Sequence, residues 1–91
     1  MGVKINIPSS LQHLANGQAV AEVSGNTVGQ CLNNLVKQFP GIESELFEKN
    51  GKLLEYVDIY INLESSYPEE LAKPVKDGDE LHITFFTIAG G

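Results

Sequence analysis

The chain has 91 residues, 42% hydrophobic and 20% charged, with twelve acidic against six basic side chains and a formal net charge of −6. That size and balance describe one small globular domain with a modest core. They exclude a disordered chain and argue against a nucleic-acid binder, which needs a Lys/Arg footprint, while leaving open a basic protein partner or plain solubility.

Met1-Gly2 opens like a myristoylation site, but Asn6 stands where that motif has Ser or Thr. Val3, Ile5 and Ile7 alternate with Lys4 and Asn6, the period of a half-buried strand, and Pro8 ends it. Residues 8–17 read as a loose connection containing Asn16-Gly17. QAVAEVS, residues 18–24, reads as a second strand with Ala19, Ala21 and Val23 on one face, antiparallel to the first. Gly25-Asn26-Thr27 then opens a helix, with Asn26 or Thr27 suited to accept from the orphan N–H groups of its first turn. Val28, Cys31, Leu32, Leu35, Val36 and Phe39 form one stripe for the sheet, with Gly29, Gln30, Asn33, Asn34, Lys37 and Gln38 on the other face. Pro40-Gly41 stops the helix.

Ile42 to Glu48 reads as a short helical turn with Leu46 and Phe47 inward, and Asn50-Gly51 as a turn. In YVDIYIN, Val57, Ile59 and Ile61 point to one side, Asp58 and Tyr60 to the other. Residues 62–76, limited by Pro68 and Pro74, read as irregular, with Leu71 and Val75 pinning them to the core. After the turn Asp77-Gly78-Asp79-Glu80, Leu81, Ile83 and Phe85 alternate with His82, Thr84 and Phe86 in a last strand. One long helix against one mixed sheet is an α+β roll, because every apolar face must find a partner. If the first and last strands lie side by side at the centre, it is a ubiquitin-like β-grasp. The domain spans 1–86, and 87–91 forms a flexible tail ending in Gly90-Gly91.

No stretch approaches the ~18 apolar residues of a membrane span, and none resembles a secretory signal. The lone Cys31 excludes an internal disulfide and a cysteine-based metal site, so a cytoplasmic location is the default. Cys31 reads as a small core residue, His13 and His82 as surface or packing residues, Asp77, Asp79 and Glu80 as a solvated turn. Glu43, Glu45 and Glu48 read as a solvated face, with a docking site for a basic partner as the alternative. No serine is visibly paired with a base, and no glycine loop cradles phosphate. Tyr60 and Phe86 fall by strand parity on the open face of the sheet, as an interaction patch or as amphipathic cover. The body thus carries no evident active site, and the unusual feature is the end, TFFTIAGG. A glycine carboxylate becomes an electrophile once adenylated, and residues without Cβ thread a narrow channel in any backbone conformation.

The stretch VSGNTVGQCLNNLVKQFPG, then VDIYIN, VKDGDELHI and a terminal AGG together resemble the MoaD/ThiS sulfur-carrier family over about residues 3–91. GKLLEYVDIYIN and the length look more like MoaD and the CysO-type carriers than the shorter thiamine carriers. The resemblance implies that Gly91 is adenylated and then thiocarboxylated, with Gly90 as spacer. It implies that ATP and magnesium sit in a ubiquitin-activating-like adenylyltransferase and none in this chain. The acceptor would be an enzyme such as the molybdopterin synthase large subunit or a cysteine synthase. Tyr60, Phe86, Thr87, Ile88 and Ala89 would contact these partners. Family members often carry proline before the final glycines, where this chain has Phe-Phe-Thr-Ile. On this reading the protein is a carrier and no enzyme. The alternatives are a ubiquitin-like modifier joined through Gly91 to lysines, or a non-covalent β-grasp binding module.

Overall fold

In the computed structural model, which describes residues 2–86, the opening alternation becomes β1 (Val3–Asn6), with Val3 and Ile5 fully buried and Lys4 exposed. β2 (Val20–Val23) runs antiparallel to it, Val3 opposite Val23 and Ile5 opposite Ala21. The predicted second strand is therefore trimmed: Ala19 is exposed, although its carbonyl still accepts from the Ile7 N–H at 2.8 Å. The connection between them is not loose. Ser9–Ala15 form a 3-10 helix with Leu11 and Ala15 buried, closed by left-handed Asn16 (φ 55°) and by Gly17 (φ 79°). A chain reversal of this kind needs positive φ, which Gly and Asn adopt most cheaply.

α1 (Val28–Gln38) begins at Thr27, whose Oγ1 accepts from the Gln30 N–H at 3.1 Å. The Gln30 side chain reaches back and accepts from the Asn26 N–H at 2.8 Å. This near-reciprocal pair satisfies two donors, in the manner of a capping box. Thr27→Ala is expected to cost about 1 kcal/mol, measured as a lower urea midpoint at unchanged slope; a loss under ~0.3 kcal/mol would show that Gln30 holds the helix start alone. Val28, Cys31, Leu32, Leu35 and Phe39 are buried and Val36 half-buried, as the stripe predicts.

Gly29 does not sit on a purely solvated face. A Cβ there would lie 3.1 Å from the Leu71 carbonyl oxygen, so its bare backbone accommodates a short 3-10 turn at Glu70–Ala72. Hydrogen bonds from Val28 N–H to Lys73 O and from Val75 N–H to Asn26 O, each 2.9 Å, fasten that segment. Leu71 packs on the core and Val75 is buried, as expected. A single-turn α2 (Glu43–Leu46) buries Leu46, and Phe47 packs beside it.

β3 (Val57–Ile61), β4 (Glu64–Ser65) and β5 (Glu80–Phe85) complete a five-stranded sheet in the order β2-β1-β5-β3-β4. β4 lies in a stretch the sequence presents as irregular. β1 and β5 are parallel, Ile5 opposite Leu81, and β5 and β3 antiparallel, Ile83 opposite Ile59. The two terminal strands are thus neighbours, and the fold is the ubiquitin-like β-grasp. Ile5, Ile59 and Leu81 from the sheet and Leu32 and Leu35 from α1 are all fully buried. Each such side chain contributes roughly 1.5–3 kcal/mol by burial.

Candidate functional site

Register decides what the sheet shows on the side away from the core. Tyr60 stands opposite His82 and Ser65, and Asp58 opposite Thr84. Directly opposed residues share a face, so these five side chains lie together on the open side. The Phe86 N–H donates to Tyr56 O at 2.7 Å and carries the β3–β5 pairing one step past the last strand residue. Phe85 packs partly against the core, its ring 6.3 Å from that of Tyr56, while Phe86 is 56% exposed.

Tyr60 and Phe86, singled out from the sequence, line one groove of about 480 Å³. Tyr67, 73% exposed, and the carboxylates Glu55 and Glu70 also line it. Asp58 forms part of its wall and is the one charged side chain among the buried residues described. Its Oδ2 accepts from Ser65 Oγ at 2.7 Å, and its main-chain oxygen accepts from Thr84 Oγ1 at 2.9 Å. Ser65 Oγ in turn accepts from the Tyr67 N–H at 3.1 Å. Asp58 Oδ1 has no hydrogen-bond partner among the described residues.

Thr87, Ile88, Ala89, Gly90 and Gly91, the remaining candidate site residues, lie outside the described residues. Phe86, the last described residue, lines the groove.

Cys31 is fully buried; burial foremost, and then the charge of Asp79, push its thiol up from the usual range. A thiol held protonated and closed off is a poor nucleophile. His13 is exposed, and His82 is half-buried with Nε2 3.7 Å from Glu80 Oε1. Asp79 is occupied in its turn: Oδ2 accepts from the Lys76 N–H and Oδ1 from Asn62 Nδ2. Among the described residues no cluster of three or more His, Cys, Asp or Glu side chains is arranged to hold a metal ion, and no helix is long and apolar enough to cross a membrane.

Sequence reasoning did not single out Asp58, Ser65, Tyr56 and Tyr67. The parity that placed Tyr60 on the open face also places Asp58 and Tyr56 there. Ser65 and Tyr67 carry no such signal, because they sit in and after a two-residue strand.

The model of the ThiS family matches residues 5–91. Sulfur carrier protein CysO of Mycobacterium tuberculosis is 34% identical over 94 residues, covering all of both chains. Small archaeal modifier protein 1 of Haloferax volcanii is 32% identical over 85 residues, 91% of this chain and 93% of that one. In the crystal structure of the Amycolatopsis orientalis BexX/CysO complex, a chain 31% identical superposes with a TM-score of 0.87, covering 99% of this chain and 100% of that one.

Proposed function

This chain belongs to the ThiS family, and we propose that it is a sulfur carrier whose C-terminal Gly91 is adenylated by a partner enzyme and converted to a thiocarboxylate. The observation that carries this reading is the family match reaching Gly91, joined to end-to-end similarity, at 34% identity, to a sulfur carrier protein. The chemistry follows from the carboxylate. One oxygen attacks the α-phosphorus of ATP, pyrophosphate leaves, and the acyl adenylate forms. A hydrosulfide nucleophile then adds to the acyl carbon and AMP departs, leaving a thiocarboxylate. ATP and magnesium act in the partner, which resembles the ubiquitin-activating adenylyltransferases; this chain supplies the handle and Gly90 the spacer.

Identity with CysO over the whole length favours a cysteine synthase as the sulfur acceptor over the molybdopterin synthase large subunit. The neighbour captured in a complex with another protein supports docking of the folded body on a partner. Tyr60 and Phe86 belong to the docking face, and Thr87, Ile88 and Ala89 to the arm that enters the partner. The chain works in the cytoplasm, as a substrate of other enzymes. Identity with a small archaeal modifier protein gives a second reading, conjugation through Gly91 to lysines. It predicts Gly-Gly remnants on cellular lysines.

Intact-mass measurement after incubation with the adenylating enzyme, ATP and sulfide tests the first reading. The expected result is replacement of one oxygen by one sulfur in the terminal residue. An unchanged mass, with an enzyme that does load its own carrier, would overturn it.

A further inference from the structure

Asp58 is only 4% exposed, yet one of its two carboxylate oxygens has no hydrogen-bond donor among the described residues. Leaving a buried acceptor unmatched is costly, and more so for a charged group. Asp58 lines a groove together with Val57, Ser65, the aromatic Tyr60, Tyr67 and Phe86 and the acidic Glu55 and Glu70, its Oδ1 lying just beneath that surface. No lysine lines it, and the chain contains no arginine anywhere.

We infer that this groove receives an arginine side chain from the protein that docks on the open sheet face, its guanidinium donating to Asp58 Oδ1 and lying against the aromatic rings. Three features select that occupant. Glu55 and Glu70 in the same groove attract a cation and repel phosphate or an acidic peptide. The aromatic lining suits a planar guanidinium, which stacks on ring faces and is more weakly hydrated than an ammonium. A hard metal ion needs several converging oxygen ligands, and no three carboxylates among the described residues are arranged to hold one. Because Oδ1 is itself shielded from solvent, entry asks groove side chains to move, and Tyr67 and Phe86, both largely exposed, can do so at little cost. The inference rests on the carrier reading only in supplying a docking protein.

The test uses the groove by itself, so its failure leaves the Gly91 mass experiment intact. The full chain is titrated with N-acetyl-arginine methylamide and followed by amide and carboxyl NMR shifts. Saturable shifts are expected at Asp58, Tyr60, Thr84 and Phe86. The neutral citrulline analogue should give none, and the lysine analogue should bind at least tenfold more weakly. Asp58→Asn, which keeps the shape and the Ser65 contact, should weaken arginine binding roughly tenfold to a hundredfold, the worth of one charge-assisted hydrogen bond. Should that variant misfold, the analogue series and Phe86→Ala, a surface change expected to weaken binding severalfold, decide the matter. Equal response to citrulline or lysine, shifts scattered over the surface, no saturation, or undiminished binding by a folded Asp58→Asn would each overturn the assignment.

Discussion

Removing Gly90 and Gly91 is expected to abolish adenylation and sulfur loading while leaving the folded domain almost untouched. The reason is a separation of roles along the chain. The buried core described above lies within Val3–Ile83, and the sheet is complete at Phe85. A change that touches no buried contact moves stability by less than ~0.5 kcal/mol, or under about 4 °C in melting temperature for a domain this size. Activation as proposed depends, by contrast, on the carboxylate of Gly91 reaching a nucleotide in another protein. Shortening the arm by two residues withdraws it by up to roughly 7 Å, far beyond the tolerance of an in-line attack. Sulfur loading of the truncated chain would sink both covalent readings, the carrier and the modifier. A melting shift well beyond 4 °C would show that the end of the chain also supports the fold.

The opposite pattern is expected of Leu81→Ala. Leu81 is fully buried on β5, between Ile5 of β1 and Ile61 of β3. Truncating such a side chain removes its transfer free energy and leaves a cavity that a central strand closes poorly, at a cost of about 3 kcal/mol within a range of 2–5. A domain with total stability of about 5–15 kcal/mol loses much of its margin, and its melting temperature falls by roughly 12–24 °C. Urea unfolding should show the midpoint drop at constant slope. A loss below ~1 kcal/mol would mean that the sheet centre repacks freely. At a temperature where the variant remains folded, Gly91 should still be loaded.

The two variants separate what the sequence makes legible from what it does not. Strand parity read from Val3, Ile5, Val57, Ile59, Leu81 and Ile83 found the core side of the sheet because period-two alternation marks burial on one face. The helical stripe from Val28 to Phe39 was equally readable. The 3-10 helix at Ser9–Ala15 was not, since Leu11, Leu14 and Ala15 carry helical spacing over a single turn only, too short to stand out between Pro8 and Asn16-Gly17. Ala19 was misplaced because a run of small residues looks the same inside and at the mouth of a strand. Gly29 looked solvent-facing because its real neighbour, Leu71, comes from a distant segment that no local pattern connects to it. Asp58 shows the sharpest gap. Parity put it on the open face, where a charged residue reads as solvated. The contact that engages it comes from β4, two residues whose position only the assembled structure reveals. The candidate groove was thus half visible, through Tyr60 and Phe86.

The pairing of β1 with β5 has a consequence for how the protein comes into being. Residues 3–6 are made well before residues 80–85, yet they are partners at the middle of the sheet. Until β5 leaves the ribosome, the β1–β2 hairpin and the β3–β4 pair have no strand to join them, and an isolated two-stranded pair is marginal in water. Closing contacts this far apart in sequence is slow. A chain stalled or clipped before β5 therefore cannot assemble the sheet face proposed above as the docking surface. The topology acts as a proofreading step in synthesis: an intact fold certifies that translation has come within a few residues of Gly91.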